Sequence, residues 1–211
     1  MSAPLTRRHL LNLIGSALTL PLLPAGLHAQ TLPSGSAPRQ TLILYLTRTR
    51  NTEAIARMIQ KHVGGKLAAI RPATPYPRDY RAHVEQVQQE NERPYLPPLA
   101  APLPDLSGYD TLFIGFPTWG MQLPPPVKTL LTETDLSGKT IIPFNTHAGY
   151  GAGNSFATIR KLCPRSRILS GLSLEGGYER RGVLFAIQGE KARAAEMQVL
   201  GWLKQHNLVK A

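Results

Sequence analysis

The sequence predicts an α/β protein: a doubly wound, five-stranded parallel sheet in the order 2-1-3-4-5, with helices on both faces. Three observations carry that expectation. Short apolar runs alternate with segments of helical spacing from residue 41 to residue 207, as in strands joined by right-handed helical crossovers. The first such unit, TLILYLTRTRNT at 41–52, passes from an apolar β-type run straight into hydroxyl, amide and guanidinium groups and then into a helix. The loops after strands 1, 3 and 4 are all unusual, and all lie at the carboxyl ends of the strands. Sheets of this order bind ligands there, at the switch point between strands 1 and 3, a placement carried over from other proteins.

The chain has 211 residues, enough for one domain with a sizeable core. Its first 29 residues stand apart. Thr6-Arg7-Arg8-His9-Leu10-Leu11 opens an apolar segment reaching Leu23, and Pro24-Ala25-Gly26-Leu27-His28-Ala29 follows. A basic start, apolar middle and small-residue exit make an export signal. The arginine pair is of the twin-arginine type, so cleavage after Ala29 and a periplasmic location are expected. The segment is short for a membrane span and is broken by Pro21 and Pro24. Residues 30–40, with Pro33, Ser34, Gly35, Ser36 and Pro38, read as a flexible lead-in, which leaves 41–211 as the domain.

The formal charge of +11, or +9 without Arg7 and Arg8, is scattered rather than gathered into a basic run. That pattern speaks against nucleic acid and leaves attraction to anionic partners open. Cys163 is the only cysteine, so no internal disulfide forms; its helical spacing predicts a packed thiol. No His, Cys and Asp spacing suggests a metal cluster, and Ser155 lacks the base and acid partners of a hydrolase.

Each element has its own signal. Ile55, Met58, Ile59 and Val63 fall at 0, +3, +4 and +8 and mark the first helix, which Gly64-Gly65 ends. Residues 66–70 read as the second strand. The stretch 72–109 is rich in proline except for 79–92, where Tyr80, Val84 and Val87 line one helical face; the reading is a helix between two extended arms. A third strand follows at 111–116, then a helix near Pro126 carrying Val127, Leu130 and Leu131. Strand four at 140–144 exits into a glycine-rich loop over 145–155, and a helix follows at 156–162. Residues 167–174 supply strand five. The stretch 176–189 has no clear period, and 183–187 is compatible with a short extra strand. Ala195, Val199, Trp202 and Leu203, at 0, +4, +7 and +8, define the closing helix over 190–207.

The loops carry the chemistry. A loop between a strand and a helix start aims backbone N–H groups, backed by the positive end of the helix dipole, at one point. Thr47, Thr49 and Thr52 add hydroxyls, and Arg48 and Arg50 add charge. Capping by Asn51 or Thr52 accounts for one such residue, not for three Thr, one Asn and two Arg in six positions. Phosphate is the ligand that uses them all. Trp119, between Thr118 and Gly120, should overhang the same crevice, where an indole can lie against a planar ring. Tyr150, flanked by glycines, is either a second stacking face or an exposed turn residue. Phosphate at one loop and a flat ring between two others specify flavin mononucleotide (FMN).

Three motifs, in order and at the right strand ends, resemble the flavodoxin family, in particular its exported bacterial branch. Thr47-Arg48-Thr49-Arg50-Asn51-Thr52 is similar to the FMN phosphate loop, usually hydroxyl-x-Thr-Gly-Asn-Thr. Pro117-Thr118-Trp119-Gly120 is similar to the first isoalloxazine loop, and Thr146-His147-Ala148-Gly149-Tyr150-Gly151 to the second. Arg50 stands where the family has glycine, and Gly120 where this branch often has a second aromatic residue. The resemblance implies an FMN-binding redox protein, either an electron carrier or a two-electron reductant of quinone-like acceptors. Its partner would be a quinone or a membrane-bound electron donor or acceptor. The three loops contain no Asp or Glu, so a positive surround from Arg48, Arg50 and His147 is expected to raise the potential. No catalytic side chain is expected, because the cofactor does the chemistry. The rival reading, supported by Arg50, is a flavodoxin-fold binding module that has lost FMN.

Overall fold

The computed structural model describes residues 40–100 and 103–209. The expected leader at 1–29 and all of the expected lead-in except Gln40 lie outside the described residues. The elements run β1 (Thr41–Tyr45), α1 (Asn51–Val63), β2 (Lys66–Ala69), α2 (Tyr80–Glu92), β3 (Thr111–Pro117), α3 (Pro125–Glu133), β4 (Thr140–His147), α4 (Ser155–Leu162), β5 (Arg167–Ile168), β6 (Leu172–Glu175) and α5 (Gly189–Gln205). All pairings are parallel, in the order β2-β1-β3-β4-β5, with β6 also on β4. The expected doubly wound sheet is therefore present.

Alternation along the strands divides the core in two. Leu42, Leu44, Leu112 and Ile114 point to one face, under Val87 of α2, Val127 and Leu130 of α3 and Ile159 of α4. Ile43, Phe113, Ile142 and Phe144 point to the other, under Ile55 and Ile59 of α1 and Val199 and Leu203 of α5. Each such buried side chain stabilises the fold by roughly 1.5–3 kcal/mol relative to exposure. Cys163 is buried, as its spacing predicts, and burial pushes its thiol up to about 11. No helix among the described residues is long and apolar enough to cross a membrane.

Four details differ from the sequence reading. Strand five is not continuous. Ile168 pairs with Ile141 and Leu172 with Phe144, so the edge carries one extra residue opposite Pro143, whose nitrogen has no hydrogen to donate. β4 continues past residue 144 to His147, because Asn145 and Thr146 pair with both β3 and β6. The compatible strand at 183–187 does not form. A 3-10 turn at Glu179–Arg181 and a single bridge between Tyr178 and Val183 occupy that stretch, and the Asn51 side chain takes its backbone groups instead. Finally, Val84 and Tyr80 of α2 remain substantially exposed although Val87 of the same stripe is buried, because the stripe borders a cavity. The two arms flanking α2 pair with each other, Ala73 N–H to Pro98 O at 2.8 Å and Ala100 N–H to Arg71 O at 2.8 Å.

Candidate functional site

Three loops meet at the carboxyl ends of β1, β3 and β4 because the backbone ties them there. Leu46 N–H donates to Gly115 O at 2.9 Å, and Thr118 N–H to Thr146 O at 2.9 Å. The Thr118 hydroxyl donates to Gly151 O at 2.8 Å and accepts from Asn145 Nδ2 at 2.8 Å. The Trp119–Gln122 bridge encloses Gly120 and Met121, both with positive φ, the pattern of a type I′ turn. Asn154 N–H then donates to Met121 O at 3.0 Å. Gly153 makes that approach possible, since a Cβ there would lie 2.0 Å from Met121 O.

In the first loop, Arg50 precedes α1 with φ 67° and ψ −3°, a left-handed conformation that glycine adopts freely, and α1 has no side-chain cap. The first-turn N–H groups therefore remain available to a ligand. The Thr47 hydroxyl is buried without a hydrogen-bond partner. Its neighbours are otherwise engaged. Thr49 Oγ1 accepts from Asn51 Nδ2 at 2.9 Å. Asn51 Nδ2 also donates to Leu184 O at 2.7 Å, while its Oδ1 accepts from Ala186 N–H at 2.9 Å and Ile187 N–H at 3.2 Å. Thr52 and Thr146 share a buried hydroxyl–hydroxyl bond of 2.7 Å that joins α1 to β4.

The arginines do not supply the positive surround expected from the sequence. Arg48 grips the Glu179 carboxylate, with Nη2 at 2.8 Å from Oε1 and Nε at 2.9 Å from Oε2, and donates to the Pro77 and Arg78 carbonyls at 2.8 Å each. The Arg50 guanidinium lies over the Phe185 ring, 5.3 Å from its centroid. Acids absent from the three loops arrive from elsewhere, since Glu92 and Glu179 line the site. His147 Nδ1 accepts from Gly149 N–H at 3.0 Å, so its neutral ring carries its proton on Nε2; burial holds its pKa below the ordinary histidine value.

Arg48, Thr49, Asn51, Pro117, Thr118, Trp119, Gly120, Thr146, His147 and Ala148 line one cavity of about 480 Å³, a size suited to a small ligand or cofactor. Thr47, Arg50, Thr52, Gly149, Tyr150 and Gly151 are not in its wall. Trp119 is 9% exposed, edge-on to Tyr76 with 5.0 Å between ring centroids and to His83 with 4.4 Å. Tyr150 is 63% exposed, its hydroxyl 2.7 Å from that of Tyr178.

Two walls were not anticipated. One is α2, through Tyr80, His83, Val84, Val87, Gln88, Asn91 and Glu92; the other is the segment Gly176, Gly177, Tyr178 and Glu179. The first had a signal, because His83, Val87 and Asn91 fall at 0, +4 and +8 on the stripe already marked by Val84. The second had none, as its position depends on long-range bonds to Arg48 and Asn51.

A sequence model of the flavodoxin family matches residues 40–184. Among solved structures, a Bacteroides eggerthii protein classed as a flavoprotein aligns over 80% of this chain and 98% of its own, with 26% identity and a TM-score of 0.64. A similarly classed Bacteroides uniformis protein covers 69% of this chain and 96% of its own, at 26% identity and a TM-score of 0.60. A Lactobacillus acidophilus flavoprotein solved in complex with FMN covers 65% and 93%, at 20% identity and a TM-score of 0.58, a likeness of fold alone. No curated protein is similar enough to match. With the family match spanning most of the chain and the sheet order, loops and cavity in agreement, this chain belongs to the flavodoxin family.

Proposed function

We propose that this chain is an FMN-binding redox protein of the periplasm that exchanges electrons with a quinone-type or membrane-bound partner. The observation that carries the reading is the Thr47 hydroxyl, buried and unpartnered beside an uncapped helix start. A buried polar group without a partner costs about 1–3 kcal/mol, which an anion accepting its hydrogen bond would relieve. Thr47, Thr49 and the first N–H groups of α1 would hold the phosphate. Trp119 and the 146–148 stretch would border the ring. When bound, FMN supplies one- or two-electron transfer; the protein supplies position and polarity. The apolar stretch of α2 facing the cavity suits a flat organic acceptor. The twin-arginine-type leader supports export.

FMN and riboflavin, which lacks the phosphate, should be titrated against wild type and Thr47→Val with flavin fluorescence as the readout. Wild type should prefer FMN strongly, and the valine variant should narrow that preference about tenfold, one charge-assisted hydrogen bond's worth. Equal affinity of the wild type for the two flavins would remove the phosphate site. A second reading, a flavin-free partner platform, is favoured by Arg50 at a left-handed position where the family has glycine. Wild-type protein that stays colourless in excess FMN would select it.

A further inference from the structure

We propose that His83 is a ligand-recognition residue of the cavity, its neutral imidazole hydrogen-bonding a ring carbonyl oxygen of the aromatic molecule held there. The inference deepens the redox-site reading and rests on it. His83 sits on the cavity-facing stripe of α2 and is 3% exposed. Both Nδ1 and Nε2 are buried with no hydrogen-bond partner. A neutral imidazole always presents one donor and one acceptor, so an unpartnered donor is present whichever tautomer is occupied.

The surroundings supply no partner for it. The Tyr76 hydroxyl donates to Glu90 Oε2, and the Glu90 Oε1 atom accepts from Gln86 Nε2 at 2.8 Å. The Tyr76 and Trp119 rings meet His83 at interplanar angles of 64° and 84°, as aromatic contacts. The Arg48 guanidinium is tied to Glu179 and two carbonyls. Burial first, and then the Arg48 charge, push the His83 ring down to about 4, so it is neutral at physiological pH. A position that needed only aromatic packing would be satisfied by phenylalanine, without two orphaned nitrogens. The one neighbour able to accept the proton is the cavity's occupant. Because the site reads as one for flat rings, the complementary group is a ring carbonyl. It belongs either to the flavin itself or to a second, quinone-type ring beside it.

Wild type, His83→Phe and His83→Gln should be compared by FMN titration followed through fluorescence, and by equilibrium dialysis of a soluble naphthoquinone against the FMN-loaded proteins. Phenylalanine keeps the packing and deletes both nitrogens; its melting temperature should be no lower than that of wild type. An FMN affinity about tenfold weaker in His83→Phe, partly restored in His83→Gln, assigns the contact to the flavin carbonyl. Unchanged FMN affinity with naphthoquinone binding lowered by a similar factor assigns it to the acceptor. Unchanged affinity for both overturns the proposal. If His83→Phe does not fold, the glutamine variant is read alone, and wild-type affinities for both ligands overturn it. Should the wild type take up no FMN, the functional reading fails. Naphthoquinone binding to flavin-free wild type and His83→Phe then decides His83 separately, with equal or absent binding counting against it.

Discussion

Replacing Gly153 with alanine strikes one of the contacts that hold the β3 and β4 loops together, at a residue outside the cavity wall. A Cβ on Gly153 would lie 2.0 Å from Met121 O, 2.6 Å from Met121 C and 2.9 Å from Met121 Cα. These are backbone atoms, so no rotamer change relieves the overlap. Three penalties add. A left-handed alanine at φ 57° costs about 1–2 kcal/mol. Overpacking adds about 1–3 kcal/mol. Loss of the Asn154 to Met121 hydrogen bond adds about 1 kcal/mol. The smaller conformational freedom of unfolded alanine returns about 0.4–1 kcal/mol. The net destabilisation is about 2–6 kcal/mol, which for a domain of this size lowers the melting temperature by roughly 4–22 °C. Gly138→Ala is the control. Its φ of 74° carries the same backbone strain, but nothing lies within 4 Å of the added carbon, so a net loss of about 1 kcal/mol or less is expected. Thermal and urea unfolding of both variants give the comparison. Equal melting temperatures for Gly153→Ala and Gly138→Ala would refute the close approach as the cause.

Arg50→Gly should change stability by less than about 1 kcal/mol, because relief of left-handed strain is offset by lost cation–π contact with Phe185 and by unfolded-state entropy. FMN affinity should also move only a few-fold, since the guanidinium lies over Phe185; a tenfold loss in the titration would mean that it pairs with the phosphate instead. Acid should destabilise the fold through His83. Its folded pKa lies below its unfolded value of 6.5, so the unfolded chain takes up the proton first. Its stabilising contribution is therefore full above about pH 6.5 and is lost as pH falls towards 4, by on the order of 3 kcal/mol at most. His147, lowered chiefly by burial, acts in the same direction. Urea midpoints across that range should fall for wild type and fall less steeply in His83→Phe; parallel slopes would exclude His83 as a source.

What the sequence made legible follows from range. The strands and helices are local, and Ile55, Ile59, Val199 and Leu203 announce their burial by spacing alone. The three loops were legible because a strand end followed by a helix start is also local. The electrostatics were not. Arg48 looks like a free cation in its own loop, and only a partner 131 residues away, Glu179, neutralises it. Val84 misled for a related reason, since a helical stripe reports an apolar neighbour without distinguishing a packed core from an open cavity.

The Asn51 side chain belongs to the first residue of α1 but makes its hydrogen bonds outside that helix. It is the clasp on which the 184–187 backbone hangs, while the Arg48–Glu179 pair fastens 179 to the same loop. Residues 47–52 and 176–187 are thus one mechanical unit, and free-energy coupling between two sites is reciprocal. A ligand that immobilises the loop is therefore expected to slow hydrogen exchange at the 186–187 amides, and unchanged exchange there on ligand binding would refute the coupling.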